Sequence, residues 1–177
     1  MLRVQAGDLE AFAQLVERFQ NMVYGMAMSM LRRPEDAEEA AQDTFLKVYR
    51  ARASFDSSRA LEPWLLRIAG NACRDKLRRR RAHSLPTVQE GDRDLANEVA
   101  DPRLAQRSRT AAIDLAVRSE LERLSDRMRT PIELKYERGL TNQQIADFLG
   151  ISLSNVKVQL ARAKDLLASR LQEVLEA

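Results

Sequence analysis

Cysteine and histidine are almost missing from this chain of 177 residues, with Cys73 and His83 the single example of each. No intrachain disulfide can form and no Cys/His cluster exists to hold zinc, so neither a metal nor another cofactor is expected. With no phosphate-cradling glycine loop, no nucleophile elbow and one histidine, a helical hydrolase or transferase finds no support. The chain is not expected to be an enzyme. Its opening, MLRVQAGD, lacks a signal-peptide apolar core, and no later stretch approaches the about 20 apolar residues that cross a bilayer; a cytoplasmic protein without membrane insertion is expected. Glycine, at six residues, and aromatics, at 5%, are scarce too, a composition that suits few β-proteins.

What is abundant is Ala, Leu, Glu and Arg, which favour helices, and the expected fold class is all-α. The length suits one ordinary domain or two small ones, so breaks in the pattern must decide. A net charge of +3 hides a strong segregation. Arg74, Lys76, Arg78, Arg79, Arg80 and Arg81 crowd together and the stretch after them is acid-rich. Such a basic pole either meets a polyanion or is a solvated helix end.

From Asp8 onward, Leu9, Phe12, Leu15, Val16, Phe19, Val23, Met26 and Met30 recur at three- and four-residue steps, predicting a long amphipathic helix that Gly25 interrupts. After Arg33 and Pro34, acids in a first turn open a second helix whose apolar face is Ala37, Ala41, Phe45 and Val48. Loop formers fill 54–60, and Pro63 is expected to be the first residue of a third helix. These three helices make a first domain, 1–83. Periodicity weakens over 84–109, read as a linker with one short helical piece, and returns at Ile113, Val117, Leu121 and Leu124 to open a second domain, 110–177. There, Thr130, Pro131 and Glu133 read as an N-cap, a first-turn proline and a capping glutamate, Thr141 and Gln144 as a capping box, and Ser152 as the cap of the last helix.

Two segments carry function. Residues 143–166 have the layout of a helix-turn-helix, with small Ala146 at the helix contact, Gly150 in the turn and buried Ile151, Val156 and Leu160 beyond it. A generic helical hairpin has the same outline, but the last helix adds a donor-rich face of Ser154, Asn155, Lys157, Gln159, Arg162 and Lys164, suited to a major groove. In the third helix, Arg67, Asn71, Arg74, Arg78 and Arg81 follow one face. There Asn71 can pair with a base edge while arginines neutralise phosphates. Trp64 can support an unstacked base or simply pack in the core.

The motifs GDLEAF at 7–12, PEDAEEAAQDTF at 34–45, WLLRIAGN at 64–71 with Asp75, GLTNQQIA at 139–146 and LGIS at 149–152 together resemble the extracytoplasmic-function sigma factors of bacteria. The resemblance runs in order over nearly the whole chain and omits only the linker. It implies a promoter-recognition subunit of RNA polymerase, with a first domain that melts the minus-ten element and a second that reads the minus-thirty-five element as duplex. It places a polymerase-docking surface, against the beta-prime clamp, on Asp36, Glu39, Gln42, Asp43 and Phe45; the second domain would meet the beta flap. The minus-ten set it implies is Ser58, Arg59, Leu61, Trp64, Arg67, Asn71, Arg74, Arg78 and Arg80, with the loop 55–61 and Asn71 forming a pocket for a flipped base. The minus-thirty-five set is Ser152, Ser154, Asn155, Lys157, Gln159, Arg162 and Lys164.

Val158 and Gln159 stand where family members commonly carry a serine followed by an arginine, and Ala161 where a ring-bearing residue is frequent. The carry-over there rests on Lys157 and Arg162. An anti-sigma factor is the regulator that the analogy implies. The second reading of the residues is a dimeric helix-turn-helix regulator with an amino-terminal sensing domain, which would have no use for an acidic second helix, a loop and an arginine-rich third helix in succession.

Overall fold

The computed structural model describes residues 1–83 and 115–176, and among the described residues there is no strand. A four-residue helix, α1 (Leu2–Gln5), precedes α2 (Leu9–Leu31). The Asp8 carboxylate accepts from the Ala11 N–H at 2.9 Å, satisfying one of the donors that a helix start leaves without a partner. Helix α2 runs through Gly25 without a break, contrary to the sequence reading. The Arg138 guanidinium packs over the glycine; a Cβ would lie 3.0 Å from that group. Pro34 opens α3 (Pro34–Ala51), with Glu35 and Asp36 in its first turn, where the helix dipole favours acids.

A 3-10 turn (Arg52–Ser54) and an exposed loop lead to α4 (Leu61–His83). Helix α4 thus starts two residues before Pro63, which still falls in the first turn, where no backbone donor is needed. Helices α2, α3 and α4 pack on one another around Val23, Met26, Ala37, Val48, Leu65 and Leu66, all nearly inaccessible. Cys73 lies among them at 1% exposure, and burial pushes its thiol up to about 12. A buried thiol held neutral is a poor nucleophile, so the native chain is expected to resist a disulfide reagent at pH 8 and to react only as it unfolds in urea. The sign of the linkage follows: this group's contribution to stability is intact below the ordinary thiol value of 9.0 and is lost as pH rises toward about 12.

In the second unit, residues 115–122 form α5, followed by α6 (Asp126–Tyr136), α7 (Asn142–Leu149) and α8 (Leu153–Glu176). The expected capping box is present: the Thr141 hydroxyl accepts from the Gln144 N–H and the Gln144 side chain accepts from the Thr141 N–H. Gly150 ends α7 in the left-handed region at φ 67°, and the Ser152 hydroxyl accepts from the Asn155 N–H at 3.2 Å. The Thr130 reading is corrected. Ser125 precedes α6 and Pro131 sits inside it, costing one helical bond whose acceptor would be the carbonyl of exposed Arg127. Thr130 and Glu133 turn instead toward α2. The linker expected at 84–109, and Ile113, lie outside the described residues.

The two units share one apolar core. Helix α6 packs on α2 and helix α7 on α4. Across the first contact Arg32, itself left-handed at φ 63°, donates to Glu133 at 2.6 Å, and the Thr130 hydroxyl donates to the Ser29 carbonyl at 3.2 Å. Across the second, Gly70 lies flat on α7; a Cβ there would sit 1.8 Å from the Phe148 carbonyl oxygen.

Candidate nucleic-acid and polymerase interfaces

Three surfaces collect the predicted residues. The first is the outer face of α3. Gln42 is exposed and Asp43 half-buried. Asp36 and Glu39 already have partners in α4: Lys76 binds Glu39 and lies 3.7 Å from Asp36, and Arg80 lies 3.5 Å from Asp36. Phe45 is not on this surface. At 8% exposure it belongs to the core, as its place on the Ala37–Val48 stripe dictates. Its neighbour Leu46, at 54% exposure, is the apolar residue that the face presents.

The second surface is the loop before α4 with one side of that helix. The loop is tied down locally: the Asp56 carboxylate accepts from the Ser58 hydroxyl at 2.7 Å, from the Ser58 N–H at 3.0 Å and from Arg59 Nε at 3.1 Å. The Ser58 hydrogen bonds first, then the Arg59 charge, hold the Asp56 carboxyl below its ordinary range. From behind, Gln5 of α1 donates to the Phe55 carbonyl at 2.7 Å and to the Arg52 carbonyl at 3.2 Å. Neither Asp56 nor Gln5 was singled out from the sequence, although a carboxylate two residues before a serine in a loop is a known turn signal. Trp64 is half-buried with its ring 4.9 Å from that of Phe55, which favours the packing alternative for its indole. Leu61 is half-buried as well.

On α4, Asn71 and Arg74 are brought together, with Arg74 Nη2 donating to Asn71 Oδ1 at 2.6 Å. Arg74 Nη1 donates to the Phe148 carbonyl at 2.6 Å, and partial burial holds its pKa below the ordinary guanidinium value. Arg67 is exposed, 3.9 Å from Asp147, and Arg78 is exposed beside Asp75. Arg80 does not join them. It lies four residues after Lys76 on the opposite side of the helix, bound to Asp36 and 3.4 Å from the Leu31 carbonyl, so the i, i+4 rule removes it from the strand-facing set.

The third surface is the start of α8 beyond the Gly150 turn. Ser152, Ser154, Asn155, Lys157, Arg162 and Lys164 are exposed and Gln159 is half-buried. The Ser152 and Ser154 hydroxyls are 3.0 Å apart, and Gln159 Nε2 donates to Asn155 Oδ1 at 2.8 Å. Val158 is exposed in the middle of this face.

Among the described residues, no group of three or more His, Cys, Asp or Glu side chains could hold a metal ion, and no helix is long and apolar enough to cross a membrane. Residues 15–83 match the profile described as Sigma-70 region 2, and residues 114–167 that described as Sigma-70, region 4. The ECF RNA polymerase sigma factor SigM of Mycobacterium tuberculosis is 36% identical over 165 residues, covering 92% of this chain and 78% of that protein. SigW of Bacillus subtilis, another ECF sigma factor, is 29% identical over 178 residues, 97% of this chain and 95% of its own. Among solved structures, CnrH in complex with the cytosolic domain of CnrY superposes with a TM-score of 0.63 at 27% identity, covering 97% of this chain and 94% of that one. Two regions matched in the expected order, and relatives of this identity along most of their length, establish that the chain belongs to the extracytoplasmic-function sigma factors of bacterial RNA polymerase.

Proposed function

We propose that the chain works in the cytoplasm as a non-enzymatic initiation subunit, with 1–83 and 110–177 as separate working domains. Core polymerase docks, through its beta-prime clamp, on the α3 face around Gln42, Asp43 and Leu46, and its beta flap meets the second domain. The loop Ser58–Leu61 and the Arg67, Asn71, Arg74 and Arg78 side of α4 take the separated minus-ten strand, and the start of α8 reads the minus-thirty-five duplex. An anti-sigma factor regulates it by covering these surfaces; the similar CnrH is itself solved in complex with the cytosolic domain of CnrY. A dimeric regulator with a sensing domain is not favoured, because the amino-terminal half matches sigma-70 region 2.

The observation that carries the reading is the exposed, donor-rich first part of α8, held at the Gly150 turn and aimed away from the core. A helix so placed presents side chains to base edges, each good contact being worth about 1–3 kcal/mol. With reconstituted holoenzyme and a promoter of intact minus-thirty-five element, the double variant Lys157→Ala, Arg162→Ala is expected to cut transcript yield at least about tenfold, two contacts at the low end of that range. Unchanged yield would show that α8 does not read the duplex.

A further inference from the structure

The face of α8 assigned to duplex reading has an apolar residue at its centre. We propose that Val158 selects an A·T pair in the minus-thirty-five element by packing its methyl groups on the thymine C5-methyl in the major groove. The proposal deepens the assignment of α8 to duplex reading and rests on it.

Helix geometry puts Val158 at that centre. Val156 and Leu160, two positions before and after it, are buried at 0% and 6% exposure. Two residues along an α-helix are separated by about 200° around its axis, so the valine points away from the core that holds the helix. It is 47% exposed. Its neighbours at three and four positions, Ser154, Asn155, Ala161 and Arg162, are exposed as well and share its side of the helix. Lys157, Arg162 and Lys164 surround this face with cations that suit a phosphate backbone. The occupant that fits is therefore a polyanion with an apolar group on show between its phosphates. Thymine is the one base that presents a methyl group in the major groove.

The polar groups beside the valine narrow the choice. Gln159 Nε2 donates to Asn155 Oδ1 at 2.8 Å, which ties the two amides together and leaves Asn155 Nδ2 to donate and Gln159 Oε1 to accept. Adenine offers the complement of both, an acceptor at N7 and a donor at N6, whereas guanine offers acceptors alone. Where family members commonly carry a serine, a hydroxyl could hydrogen-bond with any pair. A valine cannot. A cytosine amino group pressed against it would lose its water without gaining an acceptor, a cost that falls on the wrong pair.

The test uses holoenzyme reconstituted from core polymerase and the full chain. Promoter duplexes are selected from a pool randomised over the minus-thirty-five element. Each thymidine of the winning element is then replaced in turn by deoxyuridine, which removes the methyl group and nothing else. At one position this loss is expected to weaken binding about fourfold, the worth of one buried methyl group. Holoenzyme carrying Val158→Ser is expected to bind the thymidine and deoxyuridine duplexes equally, and in its own selection to lose the A·T preference at that position. Because Val158 is exposed, the variant keeps its fold, which an unchanged thermal unfolding curve checks. Deoxyuridine without effect at every position, or a methyl effect that survives Val158→Ser, would overturn the proposal. The Lys157→Ala, Arg162→Ala variant separates two levels of failure. If it weakens duplex binding while no methyl matters, the valine contact alone is wrong; if it too has no effect, the assignment of α8 to the duplex falls and takes the valine contact with it.

Discussion

The Phe148→Ala variant is expected to lose about 3–5 kcal/mol of unfolding free energy. Phe148 is the bulkiest of the fully buried side chains, at 0% exposure, and it lies in the core common to both units, where deletion of a ring leaves a cavity that close-packed neighbours fill only in part. A loss of that size is a large share of the about 5–15 kcal/mol that holds a domain together. Urea unfolding followed by circular dichroism at 222 nm measures it. Tyr136→Ala, on the exposed end of α6, is the matched control and should change the unfolding free energy by about 0.5 kcal/mol or less. Equal losses for the two would mean that Phe148 is not packed as described.

The second large effect concerns the α3 face. Asp43→Arg with Leu46→Asp is expected to abolish capture of core polymerase in a pull-down while the circular dichroism spectrum and unfolding midpoint stay close to wild type, because neither side chain is in the core. Phe45→Ala should do the reverse in its first effect. Removing a ring at 8% exposure costs about 3–5 kcal/mol of stability, and any lost binding follows from unfolding. Full capture by the Asp43, Leu46 double variant would move the docking surface off α3.

The parts of the fold legible in the sequence are those whose causes lie within about one helical turn. The Thr141 and Gln144 box, Gly150 and Ser152 each act on a backbone group three or four positions away, and each did what its spacing predicts; Pro34 opens α3 through its own ring. Periodicity also placed Phe45 on the apolar stripe, although the resemblance drew it toward a binding surface. The misread positions have distant partners. Gly25 accommodates Arg138, and Thr130 and Glu133 answer residues 101 positions earlier; Gly70, which no local signal singles out, accommodates Phe148. Nothing in the spacing around a glycine or a threonine tells which far segment will arrive there. The strongest local signal misled for the same reason: Thr-Pro-x-Glu is a good helix start, and the tertiary contact with α2 outweighed it.

The docking of α7 on α4 has a consequence in time. Arg74 and its acceptor at Phe148 are 74 positions apart, and a ribosome adding about 5–20 residues per second takes about 4–15 seconds to travel that distance. The contacts among helices α2 to α4 are nearer in sequence and form first. Every newly made copy therefore passes through an interval of seconds in which Asn71 and Arg74 face solvent because α7 has not yet been synthesised. This face of α4 is covered only when the carboxy-terminal half of the chain emerges.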